Sequence, residues 1–141
     1  MAHAVKRRPF TVDEYHRLGE AGILPEDSRV ELICGAITVR EPIGARHAGT
    51  VDRLAQLWMS RLGRRAVVRV QNPVEFPEAL SELQPDIALV RPRTDFYTRA
   101  HPRAVDVLLI VEVADTSLRL DRRVKIPSTR EPGCRRRGWW I

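Results

Sequence analysis

The sequence contains only two cysteines, few aromatic residues and no long apolar stretch. Cys34 and Cys134 lie a hundred residues apart, so they are not a closely spaced ligand pair, and nothing in the sequence supports a zinc site or a disulfide. No apolar run approaches the ~20 residues that a membrane-spanning helix requires. The basic start of the chain, residues 1–9, lacks the apolar stretch of a signal peptide. These absences predict a soluble cytoplasmic protein that does not enter a membrane.

The chain has a net charge of +6, but this charge is unevenly distributed. Residues 128–141 hold four arginines and one glutamate, which gives +3. Residues 1–127 hold twenty basic and seventeen acidic groups, so the remaining 127 residues also carry only +3. Charge alone is therefore weak support for a surface that binds nucleic acid. The length of 141 residues fits one domain with one buried core.

Capping residues and apolar spacing predict an alternating order of helices and strands. Thr11 and Glu14 form a capping box that should begin a short helix over residues 12–19. Apolar positions in residues 45–62 recur at three- and four-residue spacing, which predicts the main amphipathic helix. Strands are predicted for a hairpin or kinked pair at 29–39, for 66–70 and 74–76, and for the apolar runs 87–90 and 107–113. With a further helix beginning after Thr116, we expect an α/β fold with a mixed sheet flanked by helices.

Three carboxylates lie where the predicted strands should be most apolar. Glu31 and Glu112 each lie within an apolar run, and Asp86 comes directly before one. A buried charge is costly unless it is paired or holds a metal. Acids at the ends of adjacent strands can converge on one Mg²⁺ through their oxygen atoms. The alternative is a set of solvated strand ends, and spacing alone leaves the two interpretations nearly equal.

Four segments in order resemble the Uma-type restriction endonuclease family, which belongs to the PD-(D/E)xK nuclease superfamily. The segments are VELICG at 30–35, His47, QPDIALV at 84–90 and VEVADTSLRLDRRVK at 111–125. The resemblance covers roughly residues 10–127, and the combination of the last two segments is its most specific part. It implies a restriction-endonuclease-like fold, a DNA substrate and a homodimeric assembly.

The resemblance also assigns roles to individual residues. Asp86 and Glu112 are expected to hold the divalent metal, Mg²⁺ or Mn²⁺, and Glu31 is expected to be the third catalytic acid. The superfamily lysine would stand two residues after Glu112, where this chain has Ala114. The resemblance points instead to Lys125, whose ammonium group would act near the metal-bound water; an ordinary solvated lysine is the alternative.

His47 matches a histidine that the family shows near the start of its long helix. An auxiliary contact to phosphate or metal-bound water and a capping or solvent-facing position remain equal interpretations. The acidic residue that the family usually places before Gly35 is Cys34 here, a departure expected to affect only a turn.

The last fourteen residues, 128–141, depart from the helix, Gly-x-Pro turn and final apolar strand of family members. Pro132 and Gly133 interrupt any helix. One interpretation is a basic DNA-binding tail whose tryptophans stack on bases. The other is a one-nucleotide frameshift near Pro127, because a synonymous back-translation read one nucleotide earlier encodes LYARAGVPEAWVVD, which supplies the expected helix, turn and strand.

The frameshift interpretation predicts two regions: an incomplete nuclease domain over 1–127 and an aberrant tail over 128–141. Loss of the final strand would expose a sheet edge and cost several kcal/mol, so it predicts poor solubility and little activity. Resequencing of the gene tests this directly. The leading function is a Mg²⁺-dependent DNA endonuclease; the alternatives are a non-catalytic DNA-binding or regulatory module of the same fold, and a degraded product without function.

Overall fold

The computed structural model describes residues 6–114 and 123–124 of the chain. Two α-helices and two four-stranded sheets make up this part, and the adjacent strands pair antiparallel. A parallel contact occurs as an isolated bridge between Glu75 and Arg103. The predicted α/β, restriction-endonuclease-like class is confirmed. Among the described helices, none is long and apolar enough to cross a membrane.

The first helix, α1, spans Val12–Glu20. The Thr11 hydroxyl accepts the Glu14 backbone N–H, and the Glu14 carboxylate accepts the Thr11 N–H, so the predicted capping box is present. Two strands follow, β1 at Val30–Ile33 and β2 at Ala36–Val39, joined as a hairpin.

The hairpin turn requires its glycine. Both central residues, Cys34 and Gly35, have positive φ angles, 51° and 76°, as a tight two-residue hairpin turn demands. A Cβ atom on Gly35 would lie 2.3 Å from the Pro9 Cβ, so a side chain there is excluded by both backbone angle and space.

The first sheet has the strand order β2-β1-β5-β4. Strand β4 spans Val74–Phe76, and β5 spans Ser81–Leu83. Strand β5 was not predicted, because three residues with one apolar member carry no alternating pattern. It matters to the fold because it joins the hairpin to β4.

The second sheet has the strand order β3-β6-β7-β8, with β3 at Val67–Val70, β6 at Ile87–Val90, β7 at Val107–Glu112 and β8 at Arg123–Val124. Strand β6 is buried on both faces, as its apolar run predicts. One face packs against the second helix, α2, at Ala45–Leu62, through Val51 and Ala55. The opposite face packs against Val74 and Phe76 of the first sheet. The second sheet is thus the middle layer between α2 and the first sheet.

The end of the described chain differs from expectation. A helix was predicted to begin after Thr116, whereas Arg123–Val124 is extended and pairs with Glu112 and Val111. Residues 123–124 are a strand because they pair with the edge of β7. The helical spacing of the local sequence gives no information about such pairing. The predicted missing strand and the tail at 128–141 lie outside the described residues.

Candidate active-site cavity

A three-residue connection, Gln84-Pro85-Asp86, carries the chain from the first sheet into the second. Strand β5 ends at Leu83 and β6 begins at Ile87. Proline disfavours helical backbone in the residue before it, which is Gln84 here, and the chain bends at Asp86. Asp86 is thereby placed at the start of the central strand and Gln84 at the end of the preceding one.

Asp86 is almost fully buried, with 3% of its surface exposed. Its Oδ1 lies 3.0 Å from His47 Nε2, and its Oδ2 accepts a 2.8 Å hydrogen bond from the Val113 backbone N–H. Since a carboxylate oxygen has two lone pairs, each retains capacity for a further ligand. These two contacts fix the orientation of the carboxylate.

Glu112 meets Asp86 because their strands run antiparallel. Ile87 pairs with Val111, which brings the start of β6 next to the end of β7. The Asp86 backbone N–H lies 3.4 Å from Glu112 Oε2. The two acids thus belong to one corner of the second sheet.

Glu31 reaches the same corner from the first sheet. Its Oε1 accepts a 2.7 Å hydrogen bond from the Gln84 backbone N–H. Its side chain is 16% exposed and lies 3.6 Å from Arg40 Nε. The contact with Gln84 ties β1 to the connection that carries Asp86.

These side chains line one cavity of about 280 Å³. Its described lining residues are Glu31, Arg40, Glu41, Pro42, Ile43, His47, Gln84, Asp86, Glu112 and Val113. Four carboxylates therefore face one guanidinium and one imidazole. Asp86 is buried, Glu31 and Glu112 are half-buried and Glu41 is exposed, and such an excess of partly buried negative charge favours a bound cation.

Arg40 is a cavity residue that the sequence reasoning missed. Its Nη1 donates a 3.1 Å hydrogen bond to Gln84 Oε1, while its Nε faces Glu31. Only 16% of the side chain is exposed. Arg40 is one of 22 arginines and gave no signal in the sequence, because its role depends on the fold that brings residue 40 beside residue 84.

A model of a protein family matches most of the chain. The Uma2 model, described as "Putative restriction endonuclease", matches residues 12–141. The chain belongs to this family. No curated protein and no solved structure gives a significant match. Family membership indicates nuclease activity.

The Uma2-type residues predicted from the sequence can now be placed. Glu31, His47, Asp86 and Glu112 line the same cavity. Lys125 lies outside the described residues, so its assignment stays a prediction. Of the alternatives for His47, a solvent-facing position is excluded, because the residue is 8% exposed and hydrogen-bonded to Asp86. Its Nδ1 is buried without a hydrogen-bond partner among the described residues.

A second polar cluster lies on the opposite side of Glu31's strand and was not predicted. Within the described ranges, His16, Glu75 and Glu82 are the group whose ligand atoms all lie within 4.8 Å of one another. The carboxylates of Asp86 and Glu112 are not gathered into such a three-ligand group by the described residues. We call the His16, Glu75 and Glu82 group the α1 cluster, because His16 is supplied by α1.

Tyr15 is near enough to both acidic regions to be influenced by one acid from each. Its hydroxyl donates a 3.3 Å hydrogen bond to the Val30 carbonyl. Burial raises the pKa of the Tyr15 phenol, and the negative charges of Glu82 and Glu31 raise it further. The pKa of this one phenol therefore depends on charge in both the α1 cluster and the cavity.

Proposed function

We propose that the cavity hydrolyses phosphodiester bonds in DNA with the help of a divalent cation, Mg²⁺ or Mn²⁺. The observation that carries this proposal is the meeting of Asp86 and Glu112 at one sheet corner, with Glu31 lining the same cavity. Membership of a restriction endonuclease family supports the reaction class.

The donor set in the cavity fits a hard cation. Mg²⁺ is bound through one or two carboxylates, with water and substrate phosphate in its remaining positions. Asp86 and Glu112 supply the two carboxylates in this proposal, and Glu31 completes the acidic wall. When bound, the cation neutralises charge on the scissile phosphate and activates the attacking water.

His47 acts as a positioning residue in this proposal. An ionised carboxylate only accepts hydrogen bonds, so Nε2 carries the proton in the contact with Asp86 Oδ1. Together with the Val113 N–H, His47 holds the carboxylate in one orientation before substrate arrives. Such support for a metal ligand commonly affects affinity or rate by about 10–100-fold.

Arg40 is the proposed phosphate contact. A guanidinium binds phosphate through paired hydrogen bonds, and its present partners in the cavity, Glu31 and Gln84, hold it at the wall. Lys125, predicted from the family resemblance, would add a second cation near the reacting water. A homodimer would present two such cavities to the two DNA strands, which is also a proposal.

Plasmid nicking tests the reaction directly. The chain should nick supercoiled DNA in Mg²⁺ or Mn²⁺, and EDTA should abolish the nicking. Asp86→Asn should lower the rate by at least about 100-fold, the scale on which loss of charge stabilisation acts. Asp52→Asn, the same chemical change at an exposed position of α2, should leave the rate unchanged.

Gel-shift binding to the same DNA separates the enzyme from a non-catalytic module. Binding without metal-dependent nicking, in a variant that carries the restored reading after Pro127, would replace the nuclease by the DNA-binding alternative. Nicking that survives Asp86→Asn in a preparation whose circular dichroism matches the wild type would contradict the proposed site.

A further inference from the structure

We propose that the α1 cluster is a Zn²⁺ site, separate from the cavity, that fixes α1 to the first sheet. Its ligands are His16 Nε2 from α1, a Glu75 carboxylate oxygen from β4 and a Glu82 carboxylate oxygen from β5. Neither the proposed nuclease reaction nor the family resemblance uses these three residues.

The two carboxylates of the cluster are buried side by side. Glu75 and Glu82 are directly opposite each other on antiparallel β4 and β5, so their side chains lie on the same face. They are 8% and 6% exposed. Like charges directly opposite each other destabilise a sheet, and burial strengthens the repulsion. A divalent cation between them would convert this repulsion into two attractive contacts.

His16 supplies a nitrogen donor aimed at both carboxylates. Its Nε2 hydrogen-bonds Glu82 Oε2 and lies 3.7 Å from Glu75 Oε1. The helix that carries His16 begins at a satisfied capping box, so its first turns hold a defined position. Zn²⁺ accepts both imidazole nitrogen and carboxylate oxygen, and four ligands usually surround it, so these three residues would supply three of the four positions.

The nitrogen donor decides the identity of the metal. Mg²⁺ takes oxygen ligands, whereas imidazole suits Zn²⁺ and other transition metals. The cavity and the α1 cluster therefore differ in the cation that each favours. This difference allows the two sites to be measured separately in one protein.

Two neighbouring side chains border the cluster, an exposed arginine and a second histidine. Arg103 Nε lies 3.4 Å from Glu75 Oε2, but the arginine side chain is 64% exposed and its charge is screened by water. The His101 ring packs edge to face with His16, with 6.3 Å between ring centroids.

Isothermal titration of the metal-free full chain with Zn²⁺, in excess Mg²⁺, tests the site. We expect one Zn²⁺ per chain at this site and a rise in the melting temperature. His16→Ala should weaken binding by at least about 100-fold, since even supporting residues of a metal site cost 10–100-fold. The double variant Asp86→Asn, Glu112→Gln should keep the wild-type Zn²⁺ affinity.

Glu82→Gln is the second ligand variant, and His47→Gln is the matched histidine control. If Glu82→Gln fails to fold, His16→Ala still decides the question, because His16 is partly exposed at the surface. ¹⁵N-labelled histidine gives a direct readout: the His16 Nε2 resonance should shift on Zn²⁺ addition. No Zn²⁺ binding, binding unchanged in His16→Ala, or binding lost in the cavity double variant would each overturn the proposal.

Discussion

The cavity and the α1 cluster are two acidic regions that share the first sheet, yet their surroundings differ. In the cavity, the acids come from different sheets and are held by backbone N–H groups and by Arg40 and His47. In the α1 cluster, two acids from adjacent strands face one histidine. Under the two proposals, the partners of the buried acids select the metal: the carboxylate ligands of the cavity suit Mg²⁺, and the nitrogen donor of the α1 cluster suits Zn²⁺.

The largest expected effect is on DNA nicking, which should depend on the acids of the cavity and not on those of the α1 cluster. Glu112→Gln removes a proposed metal ligand, so it should lower nicking by at least about 100-fold. Glu82→Gln removes the corresponding carboxylate from the α1 cluster and should leave the cavity chemistry intact. Plasmid nicking in Mg²⁺, with folding checked by circular dichroism, measures both. Equal losses in the two variants would contradict the separation.

A smaller effect is expected at Arg40, which belongs to the cavity alone. Arg40→Ala should raise the KM for DNA about 10-fold and reduce the dependence of binding on salt, because one phosphate contact is lost. The exposed Arg53 on α2 is the matched control, and Arg53→Ala should change neither quantity. A fall in kcat with no change in KM or salt dependence would contradict phosphate contact by Arg40.

The helix that supplies His16 should respond to loss of its N-terminal cap. Thr11→Ala removes the hydroxyl that caps α1 and should lower the free energy of unfolding by about 1 kcal/mol. Because α1 bears one ligand of the α1 cluster and none of the cavity, Zn²⁺ affinity should fall while nicking stays unchanged. Urea denaturation and zinc titration measure the two effects, with Thr38→Ala on the edge strand β2 as control. Unchanged stability would argue against a stabilising cap.

The smallest expected effect is a pKa shift at Tyr15. Glu82→Gln should lower the raised pKa of the phenol, because a negative charge that opposes phenolate formation is removed. Glu31→Gln should act in the same direction but less strongly, since Glu31 is the weaker of the two electrostatic causes. Ultraviolet titration of the tyrosines measures the shift; a rise in pKa in either variant would contradict the placement of that acid.

Ionisation of the Tyr15 phenol should also lower the free energy of unfolding at alkaline pH. The folded-state pKa of Tyr15 is raised above its unfolded value, about 10 for a free tyrosine. The stabilisation is therefore fully present below that unfolded value and is lost as pH rises through the folded pKa. Urea denaturation across this range should show a decline that is smaller in Tyr15→Phe.

Much of the fold could be predicted from local pattern. The capping box at Thr11 and the apolar spacing of residues 45–62 predict both described helices nearly to the residue. The continuous apolar run at 87–90 predicts a strand buried on both faces. Strand β5 could not be predicted in the same way, because its pairing partners on β1 and β4, rather than its own three residues, make it a strand.

The residues of the candidate site also fall into two groups, those with a local signal in the sequence and those without one. Glu31, Asp86 and Glu112 could be singled out because a charge inside an apolar run is unusual, and the family resemblance added His47 and Lys125. Arg40, Glu75 and His16 carry no such local signal. Their environment depends on long-range pairing, such as Glu75 opposite Glu82, that no spacing within one segment reveals.

A crystal structure of the chain grown with Mn²⁺, with anomalous scattering recorded for manganese, tests the central claim most directly. We predict an anomalous peak in the cavity, within coordination distance of both Asp86 and Glu112. A cavity without a peak, in crystals whose α1 cluster does hold manganese, would contradict the assignment of Asp86 and Glu112 as the nuclease metal ligands.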